Sequence, residues 1–137
     1  MKKRIMVDMS ATLLHHGHIR LLKEAANLGE VIVGLTSDKE MQRRKGYQPE
    51  LTYQHRAEIL NAIRWVSEVV ETPWLINEAI LDHYQIDLLV HGDDNANEVP
   101  PERLVILPRT KGISSDILRA RAGDTLKARG PSDQGDG

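Results

Sequence analysis

Cysteine is absent from the chain, and so is phenylalanine. Without cysteine there is no disulfide and no thiolate metal site. Aromatic residues make up only 4% of the sequence, too few for the stacking platforms that hold single-stranded nucleic acid. A surplus of positive charge is missing too. The 18 Lys and Arg are outnumbered by 20 Asp and Glu, giving a formal net charge of −2, which argues against a general nucleic-acid binder. No apolar run approaches the roughly 18 residues a membrane span needs. The start, Met1-Lys2-Lys3-Arg4, leads into a short apolar stretch that Asp8 and Ser10 interrupt, which is not a signal-peptide pattern. The expectation is a cytoplasmic protein without nucleic-acid or membrane partners, meeting anions through a local cluster of side chains.

What is present is the composition of one ordinary globular domain: 137 residues, 40% apolar and 28% charged. Short apolar runs at Arg4–Asp8, Glu30–Leu35, Glu68–Glu71, Leu88–His91 and Leu104–Leu107 read as strands. Between them lie segments of helical periodicity. Ile19, Leu22, Ala25, Ala26 and Leu28 follow the first strand, and Gly29 stands where a helix end favours positive φ. Asp38 is placed to cap a short helix ending in Arg43-Arg44-Lys45, Thr52 to cap one from Tyr53 to Arg64, and Asn77–His83 forms another. Ser114 or Ser115 caps a last helix reaching about Arg121.

This alternation predicts an α/β, Rossmann-like fold, an open parallel five-stranded sheet with helices on both faces. The domain is expected over residues 1–122, and residues 123–137, rich in Gly, Asp and Ser, as a flexible tail or linker. Ligands of such sheets sit beyond the carboxyl ends of the strands. Polar residues collect there: His15 to His18 after the first strand, Asp38 after the second, Asp93 and Asp94 after the fourth, and Arg109 after the fifth.

Two of these positions look like phosphate cradles. In His15-x-Gly17-His18, two imidazoles stand at a strand-to-helix turn, where free N–H groups and the helix dipole already favour an anion. Gly17 lets the backbone approach closely, and both rings can donate hydrogen bonds to a phosphoryl group. Arg109-Thr110-Lys111-Gly112-Ile113-Ser114-Ser115 repeats the pattern with two cations and two capping hydroxyls. Either stretch alone has a plainer reading, as polar loop residues or as an ordinary capped helix. Trp65 and Trp74 are expected in the core or an interface, and His55, His83 and His91 are given structural roles.

Taken together, these motifs resemble the HxGH nucleotidyltransferase superfamily, and within it the glycerol-3-phosphate and phosphocholine cytidylyltransferases. The resemblance runs from about Lys3 to Ala122 and includes Tyr53-x-His55-Arg56 with Arg64, Gly92-Asp93-Asp94, and Arg109-Thr110-x-Gly112-Ile113-Ser114-Ser115. It implies that His15, His18, Lys45 and Arg109 act on the phosphates. It further implies that Met9, Ser10, Ala11, Gly17, Arg64, Asp94, Thr110, Ile113, Ser114 and Ser115 surround the nucleotide, with Arg56 and Asp93 ordering the site. The implied co-substrate is CTP with Mg²⁺ or another divalent cation, whose protein ligands the sequence does not name. The implied assembly is a homodimer.

Thr12 stands where the family has an acidic residue, and Asn95 where the glycerol-3-phosphate enzymes tend to have an aromatic one. Met9-Ser10-Ala11 resembles cytidylyltransferase domains fused to phosphoenolpyruvate mutase in phosphonate biosynthesis. The expected acceptor is therefore a small phosphonate or phosphate, of the 2-hydroxyethylphosphonate or glycerol 3-phosphate type, and the domain is expected to derive from a larger multidomain enzyme. Two alternatives stay open: an adenylyltransferase using ATP on the same fold, and a catalytically silent nucleotide-binding module.

Overall fold

A strand sends successive side chains to opposite faces, so a strand apolar at every position needs cover on both sides. In the structure, a computed structural model that describes residues 2–130, five strands form one sheet. They are β1 (Arg4–Met9), β2 (Glu30–Thr36), β3 (Val66–Thr72), β4 (Leu88–Gly92) and β5 (Leu104–Leu107). All neighbours are parallel, in the order β3-β2-β1-β4-β5. The helices are α1 (His16–Ala26), α2 (Asp38–Lys45), α3 (Tyr53–Asn61), α4 (Glu78–His83) and α5 (Ser115–Arg129). This is the expected Rossmann-like α/β architecture.

The two faces have separate cores. Ile5, Val7, Val31, Val33 and Val90 pack with Leu22 and Ala25 of α1 and Leu60 of α3. The residues between them in the strands, Met6, Ile32 and Leu89, pack on the other face with Ile76, Leu81 and Ile86. Because β2 and β4 flank β1 on opposite sides, the winding reverses at β1. The crevice beyond the carboxyl ends of β1 and β4 is therefore where a ligand belongs.

Several local expectations are corrected. Gly29 is needed for space and not for positive φ. α1 closes on Asn27 in right-handed conformation, and a Cβ on Gly29 would lie 2.3 Å from the Lys3 carbonyl oxygen. Ser37, not Asp38, caps α2, its hydroxyl accepting the Glu40 N–H. Helix α3 ends at Asn61, short of Arg64, because the chain must turn to bring Val66 beside Val31 in the sheet. Trp65 and Trp74 are both only half-buried, so neither belongs to the core. The last helix passes Arg121 and runs to Arg129, so residues 123–129 of the expected tail are helical. Gly123 within it costs only about 1 kcal/mol, which Arg121, Ala122, Leu126 and Lys127 around it offset as good helix formers, and the true stop is Gly130. The remaining tail, 131–137, lies outside the described residues.

Candidate active site

The turn after β1 is built by its own histidines. His15, extended at φ −144°, caps α1 by accepting the Gly17 N–H on Nδ1 at 3.1 Å. His18 reaches back and accepts the His15 N–H on its Nδ1, also at 3.1 Å. With both Nδ1 atoms accepting, the neutral rings carry their proton on Nε2, leaving each one donor for a ligand. Burial, then the charge of His15, pulls the His18 pKa down to about 3. Burial, then His16 and Arg109, lowers His15 as well. Near pH 7 the turn therefore offers neutral donors. Gly17 is required by the capping ring itself: a Cβ there would stand 2.8 Å from His15 Cε1.

The second cradle is joined to the first. Ser114 caps α5 by accepting the Ile117 N–H at 3.1 Å. The Ser115 hydroxyl donates to the Leu13 carbonyl at 3.0 Å and accepts the Leu13 N–H at 3.4 Å. Ile113, buried, packs over Gly17. The N-termini of α1 and α5 thus converge on one cleft of about 690 Å³. Two helix N-termini facing one space make an anion site by geometry alone.

Most expected residues line this cleft: His15, His18, Lys45 and Arg109, with Met9, Ser10, Gly17, Asp94, Thr110, Ile113, Ser114 and Ser115. Four do not. Ala11 is buried behind the wall at φ +45°. Asp93 is exposed outside the lining. Arg64 is exposed beside Lys2, Glu30 and Trp65, where β2 and β3 begin, at the opposite end of the sheet. The end of α3 at Asn61 places it there.

Arg56 is only 1% exposed and touches no cleft surface. Its guanidinium donates to the Leu51, Ser10 and Thr36 carbonyls at 3.1, 2.7 and 2.9 Å, and to Asp38 at 2.6 Å. Asp38 also accepts the Tyr53 N–H, so this pair ties the ends of β1 and β2 to the start of α3. It orders the site from behind.

Sequence reasoning missed a polar chain across the crevice. Buried Asp8 accepts from Asn97 Nδ2 at 3.0 Å and pairs with His91 Nδ1 at 2.6 Å. His91 Nε2 lies 3.3 Å from Asp94, whose other oxygen is 3.4 Å from Arg109. Burial alone would lower the His91 pKa, but the hydrogen bond and charge of Asp8, helped by Asp94, raise it overall. The missed signal was Asp8, a carboxylate inside an otherwise apolar central strand. Trp74, with Lys45 Nζ 5.1 Å from its ring, and Arg119 also line the cleft without having been anticipated.

A parallel sheet whose crevice joins two helix N-termini, neutral histidines and the cations Lys45 and Arg109 is the site of a nucleotide-phosphate-handling α/β protein. The comparisons narrow that class. The model of the family described as cytidylyltransferase-like matches residues 12–121. The chain is 38% identical over 123 residues to the glycerol-3-phosphate cytidylyltransferase of Bacillus subtilis (strain 168), covering 85% of this chain and 95% of that one. It is 33% identical over 149 residues to the ethanolamine-phosphate cytidylyltransferase of Arabidopsis thaliana, covering 95% of this chain but only 34% of that longer one. Among solved structures, the lipopolysaccharide core biosynthesis protein of Thermoplasma volcanium GSS1 matches with a TM-score of 0.69 at 19% identity, over 81% of this chain and 100% of that chain, which shows a shared fold. The chain belongs to the cytidylyltransferase-like family, in the cytidylyltransferase branch of the CTP-dependent nucleotidyltransferases.

Proposed function

We propose that this protein transfers CMP from CTP to a small acceptor bearing a phosphate or phosphonate, of the 2-hydroxyethylphosphonate, glycerol 3-phosphate or ethanolamine phosphate type. The observation that carries the reading is the convergence of the His15/His18 turn and the Arg109–Ser115 cradle on one cleft. An acceptor oxygen attacks the α-phosphorus, the new P–O bond forms, the bond to the β-bridging oxygen breaks, and diphosphate leaves with the electron pair. The nucleophile is already an anion, so the step needs position and charge neutralisation more than a base. His15 and His18 donate from Nε2 to the α-phosphoryl oxygens as charge builds on them. Arg109, Thr110 and the N-terminus of α5 take the β- and γ-phosphates, and Lys45 neutralises the triphosphate from the opposite rim.

Among the described residues, no three His, Asp or Glu side chains gather to cage a metal ion. That donor set fits Mg²⁺ carried in on the triphosphate, which needs only one or two carboxylates beside phosphate and water. Asp94, one of the carboxylates lining the cleft, would hold it, and the bound ion would offset triphosphate charge. Among the described residues, neither β3 nor β5 has a second strand partner, and a homodimer covering such an edge agrees with the family resemblance.

The test is calorimetric titration with CTP and with ATP in the presence of Mg²⁺, followed by diphosphate release with the three acceptors. Selective CTP binding and turnover with at least one acceptor are expected. Selective ATP binding would move the reading to an adenylyltransferase. Tight CTP binding without turnover on any acceptor would favour a silent nucleotide-binding module.

A further inference from the structure

One guanidinium gathers three separate parts of the cleft wall. Arg119, on α5, donates from Nε and Nη2 to the two oxygens of Glu50 at 2.6 and 2.9 Å. Its Nη2 also donates to the hydroxyl of buried Thr12 at 2.6 Å, and its Nη1 to Asp116 at 2.9 Å. The Tyr47 ring lies 5.2 Å from the guanidinium carbon. Thr12 belongs to the turn that leads into His15, while Tyr47 and Glu50 belong to the segment that follows Lys45. The contact is thus unlike a lone surface ion pair: it is a two-pronged fork with a buried third partner and an aromatic face.

That segment has little else to hold it. Lys45 is the last residue of α2, and Gly46 closes the helix at φ +78°. From Gly46 to Glu50 most residues are exposed. Among the described residues, every side-chain hydrogen bond reaching 46–50 comes from Arg119. The next anchor is the Leu51 carbonyl, gripped by Arg56. A segment with so few buried contacts opens locally at small cost, and the exposed helix end carrying Lys45 adjoins it directly.

We propose that Arg119 is a positioning residue for Lys45: its fork to Glu50 and its contact with Tyr47 hold the 46–50 segment over the cleft, fixing the ammonium where it meets the triphosphate of the nucleotide. The proposal rests on the proposed role of Lys45. Arg119 itself is engaged by Glu50 and Asp116 and acts through the segment it holds. Because Lys45 would meet the triphosphate before and during transfer alike, loosening it weakens ground state and transition state together. The effect then falls on KM more than on kcat.

The full chain in a Trp65→Phe background gives two readouts, since Trp74 is then the sole tryptophan and Lys45 Nζ stands 5.1 Å from its ring. One readout is steady-state kinetics with CTP. The other is Trp74 emission without nucleotide, with Lys45→Ala defining the ring without its cation. Arg119→Ala is expected to raise KM for CTP about tenfold, with kcat changed much less, and to shift the emission toward that of Lys45→Ala. Arg119→Lys keeps the charge without the fork and should restore part of both. Glu50→Gln should move both in the same direction by less, and it decides the matter if Arg119→Ala does not fold. Parental KM and parental emission in a folded Arg119→Ala would overturn the proposal, as would a fall in kcat with KM and emission unchanged. A parent that turns over no CTP sinks the functional reading instead, while the emission comparison still shows whether Arg119 holds Lys45.

Discussion

The Nδ1 of His18 accepts the backbone N–H of His15, and the two ring centroids stand 4.0 Å apart. This contact completes the capping box that His15 opens, fixes the tautomer of His18 and leaves its Nε2–H as the ligand donor. It also holds two imidazoles so close that a charge on one opposes a charge on the other. The site is thus a pair of fixed neutral donors on a helix N-terminus, suited to charge that grows during the reaction.

Replacement of His18 by alanine removes one such donor and the back-bond to His15 together. Turnover is expected to fall about a hundredfold or more, the range for losing one transition-state donor. Steady-state diphosphate release measures it. A rate near that of the parent would take His18 out of the mechanism.

His18 also links stability to pH. Its folded-state pKa of about 3 lies below the ordinary histidine value of 6.5, so the unfolded chain binds its proton first. The stability this residue contributes is complete above pH 6.5 and drains away as the pH falls toward 3. Thermal midpoints from pH 7 to 4 should therefore drop in the parent, and the slope should flatten in His18→Gln. Equal slopes in the two proteins would mean that His18 is solvated.

His91 has the opposite sign. Its pKa is raised, so its contribution is present below pH 6.5 and is lost as the pH climbs through the folded value. Burial works against that rise and Asp8 works for it. Asp8→Asn should therefore lower the His91 pKa, read from its ring-proton NMR titration. An unmoved titration would show that the 2.6 Å pairing is not what raises it.

How far the sequence reaches is clear from these residues. The strands and helices follow from apolar runs and periodicity, and the parallel sheet covered on both faces follows from their alternation, whereas the strand order is seen only in the fold. The two cradles are visible because each is contiguous in the chain: a turn and the helix it starts. Long-range polar pairs are not visible in that way. Asp8 and His91 are distant in sequence and meet only through the parallel pairing of β1 with β4. By its own spacing Arg56 reads as a helix-surface charge; only the family resemblance put it at the site, and the fold then closes around it. Arg64 fails for the complementary reason: two residues from the start of β3, it is carried to the far end of the strands. Gly123 misled because a glycine in an exposed helix costs too little to stop it.

Arg56 yields the clearest stability prediction. Its charge is buried, and it serves three carbonyl oxygens and Asp38. Removing it leaves acceptors unpaired at the ends of β1 and β2 and a carboxylate without its cation. Arg56→Ala is expected to cost about 3–5 kcal/mol in urea unfolding, the range for breaking a buried ion pair. Arg56→Lys should recover little, since an ammonium cannot span the four acceptors that the planar fork reaches. A loss under about 1 kcal/mol, as an exposed pair gives, would show that Arg56 is solvated.

Arg109 should separate binding from folding. Its side chain is half exposed at the cleft, and Asp94 at 3.4 Å is its one ion-pair partner among the described residues. Arg109→Ala therefore leaves no buried group unpaired, and the thermal midpoint should stay within a few degrees of the parent. Nucleotide binding should suffer, because the guanidinium is the cation placed at the second cradle. CTP affinity in calorimetry is expected to fall at least tenfold, about 1.4 kcal/mol. CMP, which lacks the β- and γ-phosphates, should bind parent and variant alike. Equal losses for CMP and CTP would move Arg109 to the α-phosphate, and no loss for either would mean that the second cradle does not hold the triphosphate.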